Sequence, residues 1–523
     1  MTNFQKAVLG LIIILAVILR FYMLDKVPAG IHADEASQGF NAFSLLKTGK
    51  DMYGQSFPIL FRANGSYQPP IYTYLTIIPT FLLGNSIFTV KLVSALSGIA
   101  LVLFTFLLMK RRSAILGLIA AGLVALSPWA IHFSRLAVEA NVGVLFFAVG
   151  VFLLIKSLEK ITYFPWACLV LGISTHAYYS ERITSVLILV LVLVVYRKVF
   201  LQAKKQTILG LGIFAVTLLP HLYVLFSGAL TKRLSQVGYL GGPIQNIPKE
   251  FINHFLMYLS PSNLFFDPGS SLGRTTPNLG VFYPWMVIPF LVGLGYIFKN
   301  RQNSLVKIVG ALLFITPIPA ALTGDLFYPL RTLDYLWVIT LISSFGCWHL
   351  WTLIKNNWIK LFITLGLIGY SVAIFGLSYF IIFKYELAIG AGEPYIKLMS
   401  TLKSYNDKQI WIDNNPRSWG VGIRDAYLEA VDPELIQASL KSQMQTDYYS
   451  QEVNAQEVYT IGNKVFKPIN WGMICGKNMI VVGDSLSFDP STLLAHQLHL
   501  EFTVPDYLGA PVLFGYSTTK LCN

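Results

Sequence analysis

Residues 88–109, FTVKLVSALSGIALVLFTFLLM, are predominantly apolar, with Lys91 the one charge near their start, and stop at Lys110-Arg111-Arg112. A helix of this length crosses the roughly 30 Å of hydrocarbon in a bilayer. The three cations behind it read as an anchor at the cytoplasmic face. The same unit recurs along the chain. Further apolar runs fall near residues 5–24, 113–131, 141–157, 163–179, 183–197, 206–227, 282–298, 305–323, 333–353 and 360–383. The spacing predicts about eleven transmembrane helices. Basic clusters at Lys156 with Lys160, Arg197-Lys198 with Lys204-Lys205, Lys299 with Arg301, and Lys355 with Lys360 then share one side with Lys110-Arg111-Arg112. That side is cytoplasmic by the positive-inside rule, and the N-terminus lies on it.

Composition says the same. The chain of 523 residues is 54% hydrophobic and 12% charged, with net charge +13 and mean hydropathy +0.59. Soluble chains are about a quarter charged. Residues 1–384 carry 29 Lys and Arg against 11 Asp and Glu, whereas residues 385–523 carry 10 against 15. The positive charge therefore belongs to the membrane part, where it orients helices; it is no nucleic-acid surface. Cys168, Cys347, Cys475 and Cys522 show no metal or redox spacing. Cys475 and Cys522 share the tail and could pair if that tail is exported. No small-residue cleavage site follows the first apolar run, which reads as a retained helix.

Two domains follow: residues 1–384 as the transmembrane domain and 385–523 as an external α/β domain. Strand-like runs at Gln409-Ile410-Trp411-Ile412-Asp413 and Met479-Ile480-Val481-Val482-Gly483-Asp484 alternate in that tail with helical stretches. Residues 25–87 form the first external loop. The apolar stretch at 70–84 is too short to span, and letting it cross would move Lys110-Arg111-Arg112 outside; it reads as an interfacial helix.

Within this loop stands Gly30-Ile31-His32-Ala33-Asp34-Glu35. Two adjacent carboxylates at a membrane face suit an acid or base, since poor solvation there favours the protonated form. They also suit a solvated loop whose Asp caps a helix over 36–46. Of the eleven carboxylates in residues 1–384, all but Glu159 fall at the external face. Arginines cluster on that side too. His132-Phe133-Ser134-Arg135 precedes Glu139 by one helical turn, His176-Ala177-Tyr178-Tyr179-Ser180-Glu181-Arg182 joins two spans, and Tyr328-Pro329-Leu330-Arg331 precedes another. One arginine at a bilayer face snorkels to headgroups, whereas several with carboxylates nearby suit a bound phosphate. Arg135 and Glu139 are equally an i, i+4 ion pair. No phosphate loop, no dinucleotide fingerprint and no DxD pair appears. An activated lipid phosphate fits that absence.

The chain resembles the family-39 glycosyltransferases of the C-type membrane fold, the group of the protein O-mannosyltransferases and aminoarabinose-lipid A transferases. Carrying the resemblance are Asp34-Glu35, Gln68-Pro69-Pro70-Ile71-Tyr72, Lys91-Leu92-Val93-Ser94-Ala95, Ser134-Arg135-Leu136-Ala137 and Tyr178-Tyr179-Ser180-Glu181-Arg182, then Tyr258-Leu259-Ser260-Pro261-Ser262-Asn263, Arg274-Thr275-Thr276-Pro277 and Tyr328-Pro329-Leu330-Arg331. Gln68 departs from the Lys or Arg that many relatives carry before the Pro-Pro pair. The resemblance implies a hexosyl or pentosyl transferase in the cytoplasmic membrane. Such an enzyme moves a sugar from a polyprenyl monophosphate to a protein, lipid or glycan acceptor outside, with inversion. It implies Asp34 as general base, with Glu35 positioning substrate or sharing that role. Arg182 and Arg331 would hold the lipid phosphate, while Arg135, Glu139, Tyr179 and Arg274 would line the substrate site. C-type enzymes differ in metal dependence; no metal or cofactor is assigned here, and a divalent cation stays open. The alternative is a lipid-linked saccharide transporter or binding scaffold, although no inverted repeat is visible.

Overall fold

The structure, a computed structural model, describes residues 1–267, 275–415, 417–453 and 457–518. It is that of a multi-pass membrane protein. Among the described residues seven helices are long and apolar enough to span: Asn3–Phe21, Ile87–Met109, Glu139–Ser157, Lys204–Leu225, Ser304–Ala321, Pro329–Leu353 and Asn357–Leu387. The pair Ala114–Leu126 and Pro128–Ser134, bent by 58°, makes an eighth if it counts as one span. The remaining predicted spans correspond to the shorter helices Phe164–Ala177, Glu181–Val195 and Val287–Lys299.

The chain forms two compact units. The first comprises residues 1–24, 69–72 and 91–381. Its centre is the Leu333–Leu353 helix, in which every residue from Leu333 to Gly346 is buried. A helix apolar and buried on all sides is a core helix, packed by its neighbours and not by lipid. Its closest crossing is with Val287–Lys299. A Cβ on Gly293 would stand 2.0 Å from the carbonyl oxygen of Ile342, and one on Gly346 would stand 1.7 Å from that of Pro289. Glycine at both positions lets the two backbones touch, the usual way helices associate where apolar burial gives no net drive. The Asn3–Phe21 helix lies at the edge and leaves Leu11, Ile14 and Ile18 exposed.

Two buried arginines tie this unit together through helix ends. The last four carbonyls of a helix have no partner inside it. For Ala114–Leu126 those acceptors are met in turn: Leu123 by the backbone and hydroxyl of Ser127, Val124 and Ala125 by the Arg20 guanidinium at 3.2 and 3.3 Å, and Leu126 by the Tyr283 hydroxyl at 2.9 Å. Arg135 does the same for Asn3–Phe21, donating to the carbonyls of Leu19, Tyr22 and Met23. Its cationic face lies over the rings of Tyr379 and Phe380.

The second unit gathers residues 25–68, 73–90 and 382–523. The hairpin strands β1 (Phe61–Ala63) and β2 (Ser66–Gln68) pair antiparallel. Six more strands form one sheet: β3 (Gln409–Asp413), β4 (Tyr459–Ile461), β5 (Lys464–Lys467), β6 (Met479–Gly483), β7 (His499–Pro505) and β8 (Pro511–Ser517), in the order β4-β5-β3-β6-β8-β7. β5, β3 and β6 run parallel and the others antiparallel. Trp411, Ile474, Met479, Val481, Phe488 and Tyr516 make a core on one face, while Ile410, Ile412 and Val482 are buried on the other. The Ala33–Thr48 helix packs on Val421–Leu428 and Pro433–Gln443. Pro70–Leu83 is a 14-residue helix whose Ile78, Phe81, Leu82 and Leu83 are exposed, a face suited to the membrane interface.

Candidate active site

Asp34 stands in the first turn of the Ala33–Thr48 helix. The expected helix over 36–46 begins three residues earlier, and its N-cap is His32 instead of Asp34. Glu35 closes this helix start. Its carboxylate accepts the His32 backbone N–H at 2.8 Å, the reciprocal half of a capping box, and it is buried. Asp34 is different, with a side chain 51% exposed. Its Oδ1 accepts from the Asn64 side-chain amide at 3.0 Å, and the Gln68 amide stands 3.4 Å away. Ser37 donates to Gln68 Oε1 at 3.1 Å, which turns the amide nitrogen of Gln68 toward Asp34. The other oxygen, Oδ2, has His32 Nδ1 at 3.9 Å. Sequence reasoning missed Asn64 and Gln68 as neighbours of Asp34. A signal for the first existed: Asn64-Gly65 between two short strand-like runs is the dipeptide of a two-residue hairpin turn.

In the first unit Arg331 lies on the turn Pro329–Thr332. One nitrogen pairs with Asp325 at 2.7 Å, and the guanidinium stacks over the Tyr328 ring at 4.5 Å. Tyr328 is held in turn, its N–H donating to the Tyr258 hydroxyl at 3.2 Å. Arg182, in the first turn of Glu181–Val195, donates to the Thr175 carbonyl at 3.3 Å and lies over the Tyr179 ring at 4.4 Å. The helix Ile318–Ala321 packs against both of these elements. Among the described residues, Arg182 Nη2 and Arg331 Nη1 are buried without a hydrogen-bond partner. Each such group costs about 1–3 kcal/mol, more when charged, unless a ligand meets it. Tyr178 lies within electrostatic reach of Arg331, Arg233 and Glu139, which places Glu139, the first residue of Glu139–Ser157, near the same cluster.

Arg135 is occupied differently from the other two arginines, with three of its contacts on helix-end carbonyls. Arg274 lies outside the described residues. Missed by sequence reasoning were Arg233 and His221; the latter stacks on His176 at 4.0 Å and senses the Arg182 charge. Among the described residues no three His, Cys, Asp or Glu side chains gather as a metal-binding group.

The family model for dolichyl-phosphate-mannose-protein mannosyltransferases matches residues 67–224. The crystal structure of ArnT from Cupriavidus metallidurans in the apo state aligns with 99% of this chain and 99% of that one, at 12% identity and a TM-score of 0.57. The same protein bound to undecaprenyl phosphate aligns over 97% of each chain, at 12% identity and a TM-score of 0.55. This chain has the C-type glycosyltransferase fold. The family match includes Arg135, Glu139, Tyr179 and Arg182, whereas Asp34, Glu35, Arg274 and Arg331 fall beyond its ends. No curated protein matches the chain in sequence.

Proposed function

We propose that this protein is a glycosyltransferase that moves a sugar from a polyprenyl monophosphate to an acceptor on the external face of the cytoplasmic membrane, with inversion. The observation that carries this reading is the pair of buried, unspent N–H groups on Arg182 and Arg331 within an apolar helical unit. An anion is the ligand that such donors lack, and a lipid phosphate reaches a membrane-embedded site by lateral diffusion. ArnT, whose fold this chain shares, is known in a form bound to undecaprenyl phosphate.

The chemistry is an in-line displacement. The acceptor hydroxyl oxygen bonds to the anomeric carbon as the bond from that carbon to the phosphate oxygen breaks. Its proton passes to Asp34 Oδ2, and the bonding electrons leave with the polyprenyl phosphate. Arg182 and Arg331 stabilise the charge that grows on the leaving phosphate, an effect of about 3 kcal/mol per well-placed donor. Glu35 keeps the helix start that presents Asp34. Glu139 and Tyr179 border the arginine cluster as sugar-facing groups, and Arg135 holds the end of the Asn3–Phe21 helix. In this reading residues 1–384 perform transfer and residues 385–523, outside the membrane, take part in holding the acceptor. The disulfide at Cys475 fits an oxidising compartment for that tail; Cys522 lies outside the described residues.

Transfer of radiolabelled sugar from a panel of polyprenyl phosphate sugars tests this, in membranes holding wild type, Asp34→Asn or Arg331→Ala at equal protein levels. Wild type should label an endogenous acceptor, Asp34→Asn should abolish labelling, and Arg331→Ala should slow it by about a hundredfold. A donor that binds and crosses the bilayer equally in all three, with no product, would sink the transferase reading.

A further inference from the structure

The Asp34 carboxylate is hydrogen-bonded by Asn64 at Oδ1 and has His32 Nδ1 3.9 Å from Oδ2, and the tether at Oδ1 leads into the C-terminal segment. Asn64 and Gly65, at φ +53° and +72°, form the two-residue turn between β1 and β2. Both left-handed positions suit an Asn-Gly turn, so the backbone there is set. A carboxylate only accepts hydrogen bonds, so the Asn64 amide must present its nitrogen to Asp34 Oδ1. The backbone N–H of the same residue donates to Glu457 Oε1 at 2.9 Å. Glu457 is buried and also accepts from the hydroxyls of Tyr53, at 2.5 Å, and Tyr459. Burial, and then Glu457 itself, hold both phenols well above their ordinary ionisation range, so they remain donors. A second tie reaches the other side of Asp34: buried Arg424 donates to the Ile31 carbonyl at 2.8 Å.

We propose that Asn64 is a positioning residue for Asp34, and that Glu457 of the C-terminal segment holds Asn64 in place. This rests on the reading of Asp34 as the general base. Tethering Oδ1 selects one rotamer of a half-exposed side chain and leaves Oδ2 to take the proton. Misplacement of a reacting group by about 1 Å costs as much as a hundredfold in rate. The C-terminal segment thereby acts on turnover and not only on the acceptor.

The test measures kcat and KM with the polyprenyl phosphate sugar that wild-type membranes turn over. Asn64→Gly removes the amide yet keeps the left-handed turn and the N–H to Glu457. It should lower kcat by about ten- to a hundredfold with KM for the donor unchanged. Glu457→Ala should do the same, Glu457→Gln should recover most of the loss through its one acceptor oxygen, and Asn64→Gly/Glu457→Ala should be no slower than the worse single variant. Wild-type kcat in Asn64→Gly, while Asp34→Asn is inactive, would overturn the positioning role alone. Additive losses in the double variant would remove Glu457 from it. Should Glu457→Ala fail to fold, Asn64→Gly and Glu457→Gln decide the matter. An active Asp34→Asn would overturn the base reading, and this inference with it.

Discussion

Arg20, Arg135, Arg182 and Arg331 share a side chain and differ in what their nitrogens meet. The first two each donate to several carbonyls at helix ends, whereas Arg182 donates to the single carbonyl of Thr175 and Arg331 pairs with the Asp325 carboxylate. Sequence showed that arginines recur at the external helix ends, and three of them stood in motifs. It could not separate Arg135 from Arg331, because the acceptors that occupy Arg135 are backbone oxygens with no residue signature. Asp51 was equally illegible. It is fully buried, accepting from the Tyr448 hydroxyl at 2.5 Å and from the N–H groups of Tyr53 and Gln55. Burial pushes its carboxyl up to about 6 in spite of these donors. The folded state thus holds the proton more tightly than the unfolded chain, whose value is about 4. The stability from this group is full below about pH 4 and is lost as pH rises through about 6, a change of about 3 kcal/mol. Thermal unfolding followed from pH 4 to 7 should show wild type losing stability across that window relative to Asp51→Asn. Parallel curves would remove Asp51 as the cause.

At the scale of elements, the helices were read well by position and less well by their ends. The run predicted at 113–131 contains a bend of 58° between Leu126 and Pro128, and the proline there supplies the physical reason. The helix predicted at 36–46 starts at Ala33 because Glu35, at its third position, satisfies the N–H of His32. Histidine is no usual N-cap, so no sequence signal marked that start. The crossing of Val287–Lys299 with Leu333–Leu353 was invisible as well, since a glycine in an apolar run looks like any other. Its consequence is testable. Gly346→Ala places a methyl group on the Pro289 carbonyl and should cost about 1–3 kcal/mol. Gly366→Ala, where nothing lies within 4 Å, should leave the unfolding temperature in detergent unchanged. Equal behaviour of the two variants would mean that the crossing relaxes freely.

On the scale of the whole molecule, hydropathy and charge placed the membrane part, and the resemblance in scattered motifs agreed with the fold. What composition could not show is how residues 25–68 and 73–90 join residues 382–523 in one compact unit. That unit is built on side-chain ties between segments hundreds of positions apart, such as Tyr53 with Glu457 and Tyr448 with Asp51. No local pattern reports a contact of that separation. The bare N–H groups of Arg182 and Arg331 carry a different consequence. A protein that leaves donors unmet until a ligand arrives is a better fold when loaded than when empty, and the ligand acts as a folding partner by mass action. At a hundred times its dissociation constant such a ligand adds about 2.7 kcal/mol. Undecaprenyl monophosphate added to the detergent-solubilised protein should therefore raise its unfolding temperature. Undecaprenol, which lacks the phosphate, should not, and Arg331→Ala should lose the gain. Extraction that strips the carrier lipid would then withdraw part of what keeps this chain folded.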